Sequence, residues 1–222
     1  MAGSLPGIKT KKPIEISCDE WNIWYRKHDL QRREIPNPVE ERYNLRDALW
    51  TASVLNLFQR TGDKVTMANI ATMVNAIGTV FTSDQGMFLQ TIYFPMKLYR
   101  RQCGSQALAC KVESPTFSSK SFQDVPYLDV SATLDDDRKK LAVVVVNRHR
   151  SKPIGTKLTI GNAKVAKKAT LFEINGASPE IENSFSEPEN VKVVQKQFTQ
   201  AGEKFEYVFP AHSITLLKLS VT

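Results

Sequence analysis

The sequence lacks any apolar run long enough to cross a membrane. A transmembrane helix needs about 18 or more consecutive apolar residues, and the 222 residues contain no such run. The initial stretch MAGSLPGIKTKKP is small and basic, without the apolar central region of a secretory signal. The sequence therefore predicts a soluble, unsecreted protein with no membrane partner, and it favours the cytoplasm without fixing the compartment.

Cysteine and histidine are scarce, with three residues of each. Cys18, Cys103 and Cys110 form no CxxC pair, and no histidine lies close enough in the sequence to complete a zinc pattern. We therefore expect buried free thiols and no metal site. The three histidines, His28, His149 and His212, are isolated in the sequence, and a hydrogen-bonded structural role is predicted for His212 at the edge of the last strand.

Positive charge is in excess but is not concentrated in one segment. The chain has 30 Lys and Arg residues against 23 Asp and Glu, which gives a net charge of +7. Its lysine pairs at 11–12, 139–140 and 167–168 lie in separate segments among acidic residues. A nucleic-acid site needs a basic patch or stripe, so we predict a solvated surface and no nucleic-acid partner.

Strand and helix signals alternate in the first half of the chain. The short β-branched run PIEISCDEW precedes a charged loop, and apolar residues at helical spacing then follow Asn44, which can cap a helix together with Asp47. This helix is expected to stop at Gly62. DKVTMANI predicts the next strand and IATMVNAIG the next helix. The order is typical of a parallel α/β sheet or barrel.

From about Gln106 the pattern changes to short β-rich runs separated by turn residues, without a helix of usable length. The stretch VPYLDVSATLDDDRKKLAVVVVNR predicts a hairpin with its turn at 135–137, and VVVV at 143–146 predicts a fully buried strand. The fold class is therefore α/β plus all-β, with an α/β domain at 1–105 and an antiparallel β-sandwich at 106–222. An eight-stranded barrel takes about 250 residues, so the first half is either a small open sheet or part of a barrel completed by other sequence.

The stretch ISCDEWNIWYR holds the candidate site. Asp19 and Glu20 stand at the carboxyl end of the first predicted strand, where loops of parallel α/β folds converge on a pocket. Trp21 and Trp24 follow, and aromatic faces suit the apolar faces of sugar rings. Carboxylates beside aromatic rings equip a glycosidase. An acidic pair that caps the next turn beside two core tryptophans is an equally good interpretation of the pattern, and Trp50 is expected in the core.

Five blocks in order, ISCDEWNIWY, NLRDALWTASVLN, DKVTMANIATMVNAI, QTIYFPMKLY and FQDVPYLDVSA, resemble the C-terminal portion of the α-L-arabinofuranosidases of glycoside hydrolase family 51. The form resembles the bacterial-type, intracellular branch, which also occurs in fungi. The resemblance implies the last two β/α units of a (β/α)8 barrel followed by the sandwich. It also implies retaining hydrolysis of terminal non-reducing α-L-arabinofuranosyl groups, without a metal or organic cofactor.

The resemblance assigns roles to three residues. Glu20 matches the catalytic nucleophile after barrel strand seven, Trp24 an aromatic residue of the substrate pocket, and Gln90 a polar residue that hydrogen-bonds the arabinose. Leu89 stands where related sequences often have arginine. From the residues alone, Gln90 has a second interpretation, because glutamine at a strand end commonly satisfies backbone groups.

The second carboxylate of a retaining pair is missing. Such a pair lies about 5 to 5.5 Å apart, and the family carries its acid/base in a Gly-Asn-Glu motif. No Asn-Glu dipeptide occurs in this chain. Glu34, Glu40 and Glu41 fall in a charged loop and are predicted to be solvated. We therefore expect the nucleophile without the acid/base, and a chain that is inactive alone.

These inferences define the expected partners. They are an arabinose-containing oligosaccharide substrate, the missing N-terminal barrel portion or a partner chain, and further copies of the complete protein in a homo-oligomer. Until such a partner binds, only the sandwich is expected to be ordered. The alternative function is a non-catalytic truncated paralogue or split subunit that binds carbohydrate or another subunit.

Overall fold

The computed structural model describes residues 14–25 and 39–222. This part of the chain is mostly β, with two helices and fourteen strands. The elements before the large sheet are β1 (Ile16–Asp19), α1 (Leu45–Arg60), β2 (Val65–Asn69), β3 (Val80–Ser83), β4 (Gly86–Leu89) and α2 (Tyr93–Gln102). Those that follow are β5 (Gln106–Leu108), β6 (Thr116–Phe117), β7 (Val125–Pro126), β8 (Leu128–Leu134), β9 (Lys140–Asn147), β10 (Ile154–Thr159), β11 (Val165–Asn175), β12 (Lys192–Phe198), β13 (Lys204–Phe209) and β14 (Ser213–Val221).

The first three elements form a β-α-β unit. β1 and β2 pair in parallel with Asp19 opposite Asn69, and α1 lies between them in the chain. The predicted helix start is confirmed: the Asn44 side chain accepts from the backbone N–H of Asp47, and the Asp47 carboxylate accepts from that of Asn44. This reciprocal capping satisfies two backbone donors that the helix itself leaves free. The sequence pattern therefore located the first helix correctly.

The prediction of a second helix at 70–78 is wrong. This segment consists of turns and isolated bridges, with Asn75 and Ile77 at positive φ. The Asn75 side chain accepts from the backbone N–H of Thr82 at 2.7 Å and donates to the Thr82 carbonyl at 3.2 Å. Because the asparagine amide pairs with the backbone as a neighbouring strand would, the segment forms a compact loop instead of a helix. The β3–β4 hairpin follows, and the second helix is α2.

The second half of the chain is built on one six-stranded antiparallel sheet with the order β12-β11-β14-β9-β8-β5. The predicted hairpin is confirmed, because β8 pairs with β9 around the turn at 135–137. Residues 143–146 form the buried middle of β9, also as predicted. Strands β10 and β13 form a separate two-stranded sheet. No helix occurs from 106 to 222, which confirms the all-β expectation for this half.

Each face of the large sheet covers a separate core. On one face, α1 and α2 pack on alternate residues of β9 and β14, with Leu45, Ala48, Phe94, Leu98, Val144, Val146, Ile214 and Leu216 among the buried residues. On the other face, the β10–β13 pair supplies Phe205 and Phe209 against Val143, Val145, Leu217 and Leu219. The period-two alternation of β9 and β14 thus serves both cores. The sandwich has a second layer of only two strands on one face and two helices on the other.

The first core crosses the predicted domain boundary. The expectation that the segment before 106 is ordered only against a partner is wrong for α1 and α2, which pack on the sheet of the same chain. The boundary between 1–105 and 106–222 itself stays a prediction. Among the described residues, no helix combines the length and apolar character needed to cross a membrane.

Candidate active site

Glu20 follows the last residue of β1, at the edge where β1 and β2 both end. Its backbone has φ of +56°, a left-handed conformation that is uncommon for a residue other than glycine. The side chain is exposed, and it forms no hydrogen bond or ion pair with a described residue. Glu20 therefore presents an accessible carboxylate at the carboxyl end of a parallel strand pair.

Asp19 differs from its neighbour in being held by two side chains. Its Oδ1 accepts from Ser17 Oγ at 2.8 Å and from Asn69 Nδ2 at 3.2 Å, and Asn69 is its partner across the parallel pair. These bonds tie the end of β1 to the end of β2. Of the acidic pair, Asp19 has the structural role and Glu20 keeps its carboxylate available.

The tryptophans that follow Glu20 occupy different environments. Trp21 is buried and packs against α1, with its ring 5.3 Å from Phe58 in an edge-to-face arrangement and 6.4 Å from Trp50. Trp24 is 40% exposed. Trp50 is 42% exposed, so the expectation of a core position is wrong for it. One tryptophan thus fixes the segment after Glu20 onto α1, and another remains accessible to a ligand.

Backbone and side-chain hydrogen bonds hold the segment between these tryptophans. Asn22 Nδ2 donates to the carbonyl of Ile77 and to Tyr43 Oη, the latter at 3.2 Å. Tyr43 Oη in turn donates to the carbonyl of Ile23 at 2.7 Å. Burial raises the pKa of Tyr43 well above its usual value, and the nearby charge of Glu41 raises it further. The phenol therefore stays protonated and keeps its donor role.

Tyr25 secures the other side of Trp24. Its backbone N–H donates to Glu41 Oε1 at 3.0 Å, and its hydroxyl donates to Asp47 Oδ1. Burial raises the pKa of Tyr25 well above its ordinary range, and the bond to Asp47 adds to this effect. Burial also raises the pKa of the Asp47 carboxyl above 3.8, although the Tyr25 bond opposes the shift. Trp24 thus lies between two anchored residues, Ile23 and Tyr25.

The charged loop before α1 is only partly solvated. Glu41 is buried and accepts from Tyr25, so the prediction of a solvated side chain is wrong for it. Glu40 is half-buried. Glu34 and His28 lie outside the described residues.

Gln90 is 1% exposed and makes three hydrogen bonds to the backbone. Its Oε1 accepts from the N–H of Tyr43 at 3.0 Å, and its Nε2 donates to the carbonyls of Glu41 at 3.0 Å and Gly78 at 2.9 Å. Both amide hydrogens are therefore engaged. This geometry matches the structural interpretation of Gln90, and a direct contact with substrate stays a prediction.

A loop of the sandwich also contributes to the site. The carbonyls of Pro179 and Ile181 accept the first free N–H groups of α1, from Arg46 and Leu45, both at 2.8 Å. The Asn183 side chain donates to the carbonyl of Leu89, the residue before Gln90, at 3.0 Å. The β11–β12 loop therefore fixes both the start of α1 and the strand end that carries Gln90.

Comparison with known proteins identifies the family. A sequence profile described as "Alpha-L-arabinofuranosidase C-terminal domain" matches residues 19–213. The chain belongs to the α-L-arabinofuranosidases. It is 35% identical over 210 residues to α-L-arabinofuranosidase C of Emericella nidulans, a match that covers 91% of this chain and 39% of that protein. It is 29% identical over 191 residues to the intracellular exo-α-(1→5)-L-arabinofuranosidase of Streptomyces lividans, covering 83% of this chain and 29% of that protein.

Solved structures agree with the sequence relatives. The α-L-arabinofuranosidase of Thermotoga maritima, in an arabinose complex, aligns with a TM-score of 0.82 at 28% identity, over 93% of this chain and 43% of that one. The family 51 enzyme of Thermotoga petrophila gives 0.81 at 29% identity, over 92% and 43%. The prediction of the C-terminal portion of a family 51 arabinofuranosidase is confirmed. The chain spans about two fifths of the length of the Emericella relative.

Sequence reasoning missed several residues of the candidate site. Tyr25, Tyr43 and Glu41 anchor the backbone beside Trp24, but nothing in their local pattern distinguishes them from surface residues. The capping pair Asn44 and Asp47 was the sequence signal that could have pointed to this network. A carboxylate fixed at a helix start can accept a further hydrogen bond, as Asp47 does from Tyr25.

We also searched the described residues for a metal site. Among residues 14–25 and 39–222, no three His, Cys, Asp or Glu side chains are grouped so that they could hold a metal ion. Cys18 and Cys103 are partly buried and Cys110 is exposed, so the prediction of buried thiols is wrong for Cys110. Burial raises the pKa of the Cys103 thiol, which makes it a poor nucleophile.

Proposed function

We propose that this chain is the C-terminal portion of a retaining enzyme that hydrolyses terminal non-reducing α-L-arabinofuranosyl residues in arabinose-containing oligosaccharides and polysaccharides. Glu20 is its nucleophile. The observation that carries the proposal is the accessible Glu20 carboxylate at the shared end of β1 and β2, beside an anchored segment that exposes Trp24. A nucleophile must reach the anomeric carbon, and the neighbouring Asp19 is already engaged by Ser17 and Asn69.

The chemistry follows the two-step retaining route. Glu20 attacks the anomeric carbon as the glycosidic oxygen leaves with a proton, and the covalent glycosyl-enzyme is then hydrolysed by a water molecule. Trp24 offers an aromatic face to the sugar, and Gln90 fixes the backbone that supports this face. The buried carboxylates nearby, Asp47 and Glu41, are bonded to Tyr25. The family carries its acid/base in an Asn-Glu dipeptide that this chain lacks, so the proposal assigns the acid/base to sequence outside it.

The same outside sequence completes the barrel in this proposal, with β1 and β2 as strands seven and eight. Two apolar residues of this strand pair are exposed, Ile16 at 51% and Met67 at 54%. The Emericella relative is much longer than this chain and has further sequence that could cover them. Exposed apolar side chains on an open two-stranded sheet favour pairing with further strands. The partner is an N-terminal barrel portion, on the same polypeptide or on a separate chain, and the complete protein self-associates. Two bacterial relatives are named intracellular, which favours a cytoplasmic enzyme.

Complementation tests this function. The chain is mixed with the N-terminal portion of the Emericella relative, and hydrolysis of an aryl α-L-arabinofuranoside is measured. We expect turnover from the mixture, none from the chain alone, and none from a mixture in which Glu20→Gln still forms the complex. General acid catalysis is typically worth about 10²- to 10⁴-fold. Robust turnover by the chain alone would show that the acid/base lies within it.

The second candidate function is a non-catalytic module that binds carbohydrate or another subunit. The accessible Trp24 and the exposed apolar residues of β1 and β2 are compatible with this role. A mixture that assembles but never turns over, together with a Trp24→Ala variant that loses sugar binding, would favour it over the enzyme.

A further inference from the structure

Two loops of the sandwich meet at His212. The β9–β10 loop spans residues 148–153, the β11–β12 loop spans residues 176–191, and His212 lies in the turn between β13 and β14. The Nδ1 atom of His212 is 2.7 Å from the carbonyl oxygen of Arg150 in the first loop. Its Nε2 atom is 3.2 Å from the carbonyl oxygen of Gly176 in the second. One imidazole ring therefore joins the backbones of both loops.

The geometry of these two bonds requires a particular protonation state. A carbonyl oxygen can only accept, so a ring nitrogen must carry a hydrogen to bond it. Neutral imidazole has a single N–H group, and imidazolium has two. Both bonds therefore exist together only when His212 is protonated, and they are then of the stronger, charge-assisted kind. The bond to Arg150 is the shorter one, so the neutral ring keeps it and loses the bond to Gly176.

Backbone and amide hydrogen bonds fix His212 relative to the β9–β10 loop. The buried Asn147 side chain donates to the carbonyls of Lys152 and Pro210, at 3.1 and 2.8 Å. The backbone N–H of His212 donates to the carbonyl of His149 at 3.0 Å. The groups that form these bonds do not titrate near neutral pH. The ring bond across to the β11–β12 loop is therefore the one that depends on the proton.

His149 has the opposite requirement and provides an internal comparison. Its Nδ1 accepts from the backbone N–H groups of Ser151 at 3.2 Å and Lys152 at 3.0 Å. A nitrogen that accepts carries no hydrogen, so this geometry favours the neutral form of His149. One histidine thus bonds as a neutral acceptor, and its neighbour His212 bonds as a double donor.

The other charged groups of these loops ordinarily keep their charge where histidine titrates. Arg150 and Glu180 form an ion pair at 2.7 Å between the same two loops, and their opposite charges offset each other. Lys152 is exposed, and Arg148 pairs with a carboxylate of β8. Arginine, lysine and glutamate normally stay ionised between about pH 5 and 8, whereas histidine changes its charge in this range. The proton of His212 is therefore the variable part of the contact.

We propose that His212 is a pH-sensitive link that, when protonated, fastens the β11–β12 loop to the rest of the sandwich. Its two bonds favour the protonated folded state, so the stability that they contribute is present in acid and is lost as pH rises through the titration of His212. The effect reaches the candidate active site, because the carbonyls of Pro179 and Ile181 in this loop hold the start of α1. The proposal does not depend on the catalytic function proposed above.

The experiment uses this chain, labelled for NMR, at about pH 5.5 and about pH 8. The shifts of the ring nitrogens report how many N–H groups His212 carries, and we expect two at the lower pH and one at the higher. Hydrogen exchange of the Leu45 and Arg46 amides, which donate to the β11–β12 loop, is measured at the same pH values. Proteins are compared at equal pH, so the intrinsic pH dependence of exchange cancels.

His212→Asn removes the ring, and asparagine tolerates the backbone φ of +41° at this position. At about pH 5.5 we expect Leu45 and Arg46 to exchange about tenfold faster in this variant than in the parent, because a hydrogen bond from a charged group is lost. At about pH 8 the two proteins should differ by less than about twofold, because the neutral ring no longer holds the loop. His149→Asn keeps a side-chain acceptor for the two N–H groups of its loop, so it is the control and should behave like the parent.

Three outcomes would overturn the proposal: a single N–H group on His212 at the lower pH in the folded parent, an exchange ratio between His212→Asn and the parent that is the same at both pH values, or loss of the pH dependence in His149→Asn. The first measurement needs no variant, so it decides the question even where His212→Asn does not fold. The test involves neither Glu20 nor turnover, so failed complementation would remove the catalytic function and leave this proposal standing.

Discussion

The side-chain oxygen of Gln90 accepts a hydrogen bond from the backbone N–H of Tyr43 at 3.0 Å. The hydroxyl of Tyr43 in turn donates to the carbonyl of Ile23, next to Trp24, at 2.7 Å. Asn183 of the sandwich holds the other side by donating to the carbonyl of Leu89. A continuous path of hydrogen bonds therefore runs from the sandwich through Gln90 to the segment that carries the accessible tryptophan.

Replacing Gln90 by leucine should destabilise the chain strongly. The variant removes the partners of three backbone groups, those of Tyr43, Glu41 and Gly78, and each unsatisfied buried group costs about 1 to 3 kcal/mol. We expect a loss of at least about 3 kcal/mol in the free energy of unfolding, measured with urea. Gln85→Leu, at an exposed position, is the matched control. If both variants lost the same small amount, the amide of Gln90 would not be needed by the backbone and a direct role in substrate binding would gain support.

The features that sequence predicted correctly have local causes. The cap at Asn44 and Asp47 needs only four consecutive residues. The β8–β9 hairpin needs the turn at 135–137 and two apolar runs. The buried stretch 143–146 needs only its own unbroken apolar character. Each signal lies within the element that it specifies, so one sequence was sufficient.

The features that sequence missed depend on distant partners. Glu41 is buried because Tyr25, sixteen residues earlier, donates to it. The segment at 70–78 has helical spacing, but the side chain of Asn75 bonds the backbone of Thr82 and fixes a loop. The accessible Glu20 was placed at a strand end from the pattern and the family resemblance, whereas the anchoring by Tyr43 required the folded chain.

Asp47→Asn should change the pH dependence of stability. Burial raises the Asp47 pKa above 3.8 in the folded chain, so between 3.8 and that higher value the folded state holds more protons than the unfolded state. Stability from this group is therefore fully present below pH 3.8 and is lost as pH rises through the folded pKa. The free energy of unfolding of the parent, relative to that of Asp47→Asn, should therefore fall from pH 3.5 to 7, as measured by urea unfolding.

Asp63→Asn removes an exposed carboxylate beyond the other end of α1 and controls for the change in net charge. If the parent and Asp47→Asn showed parallel stability curves over this pH range, Asp47 would not be the source of the effect.

Asn56→Ala should loosen α1 from the sheet. Asn56 is fully buried, donates to Asp129 Oδ1 at 3.0 Å and accepts from Tyr99 Oη at 2.7 Å and from Ser131 Oγ, so it joins α1, α2 and β8. Loss of these bonds should cost about 2 to 4 kcal/mol. Hydrogen exchange should become faster in α1 and β8 together, because they share this network.

Leu57→Ala, at the adjacent exposed position, is the control and should change stability by less than about 1 kcal/mol. Faster exchange in α1 with unchanged exchange in β8 would mean that the helices form a unit of their own. That result would support the predicted division at residue 105 over the continuous core described above.

The last prediction concerns Glu20 in the complemented enzyme. Glu20→Ala should abolish formation of the covalent intermediate, and added azide should restore part of the rate with inverted stereochemistry, because it fills the vacated space and attacks from the same side. Asp19→Asn should lower turnover less, since the carboxylate of Asp19 is bonded to Ser17 and Asn69. Turnover per folded molecule and the thermal midpoint are measured for each variant.

The two measurements separate catalysis from structure. Glu20 is exposed and makes no hydrogen bond or ion pair with a described residue. Alanine has the same energetic cost as glutamate at a backbone φ of +56°. Glu20→Ala should therefore leave the thermal midpoint nearly unchanged. Asp19→Asn should lower the midpoint, because it weakens the link between β1 and β2. Loss of a covalent nucleophile costs orders of magnitude in rate, so a folded Glu20→Ala enzyme that kept more than about a tenth of its turnover would remove Glu20 from the mechanism.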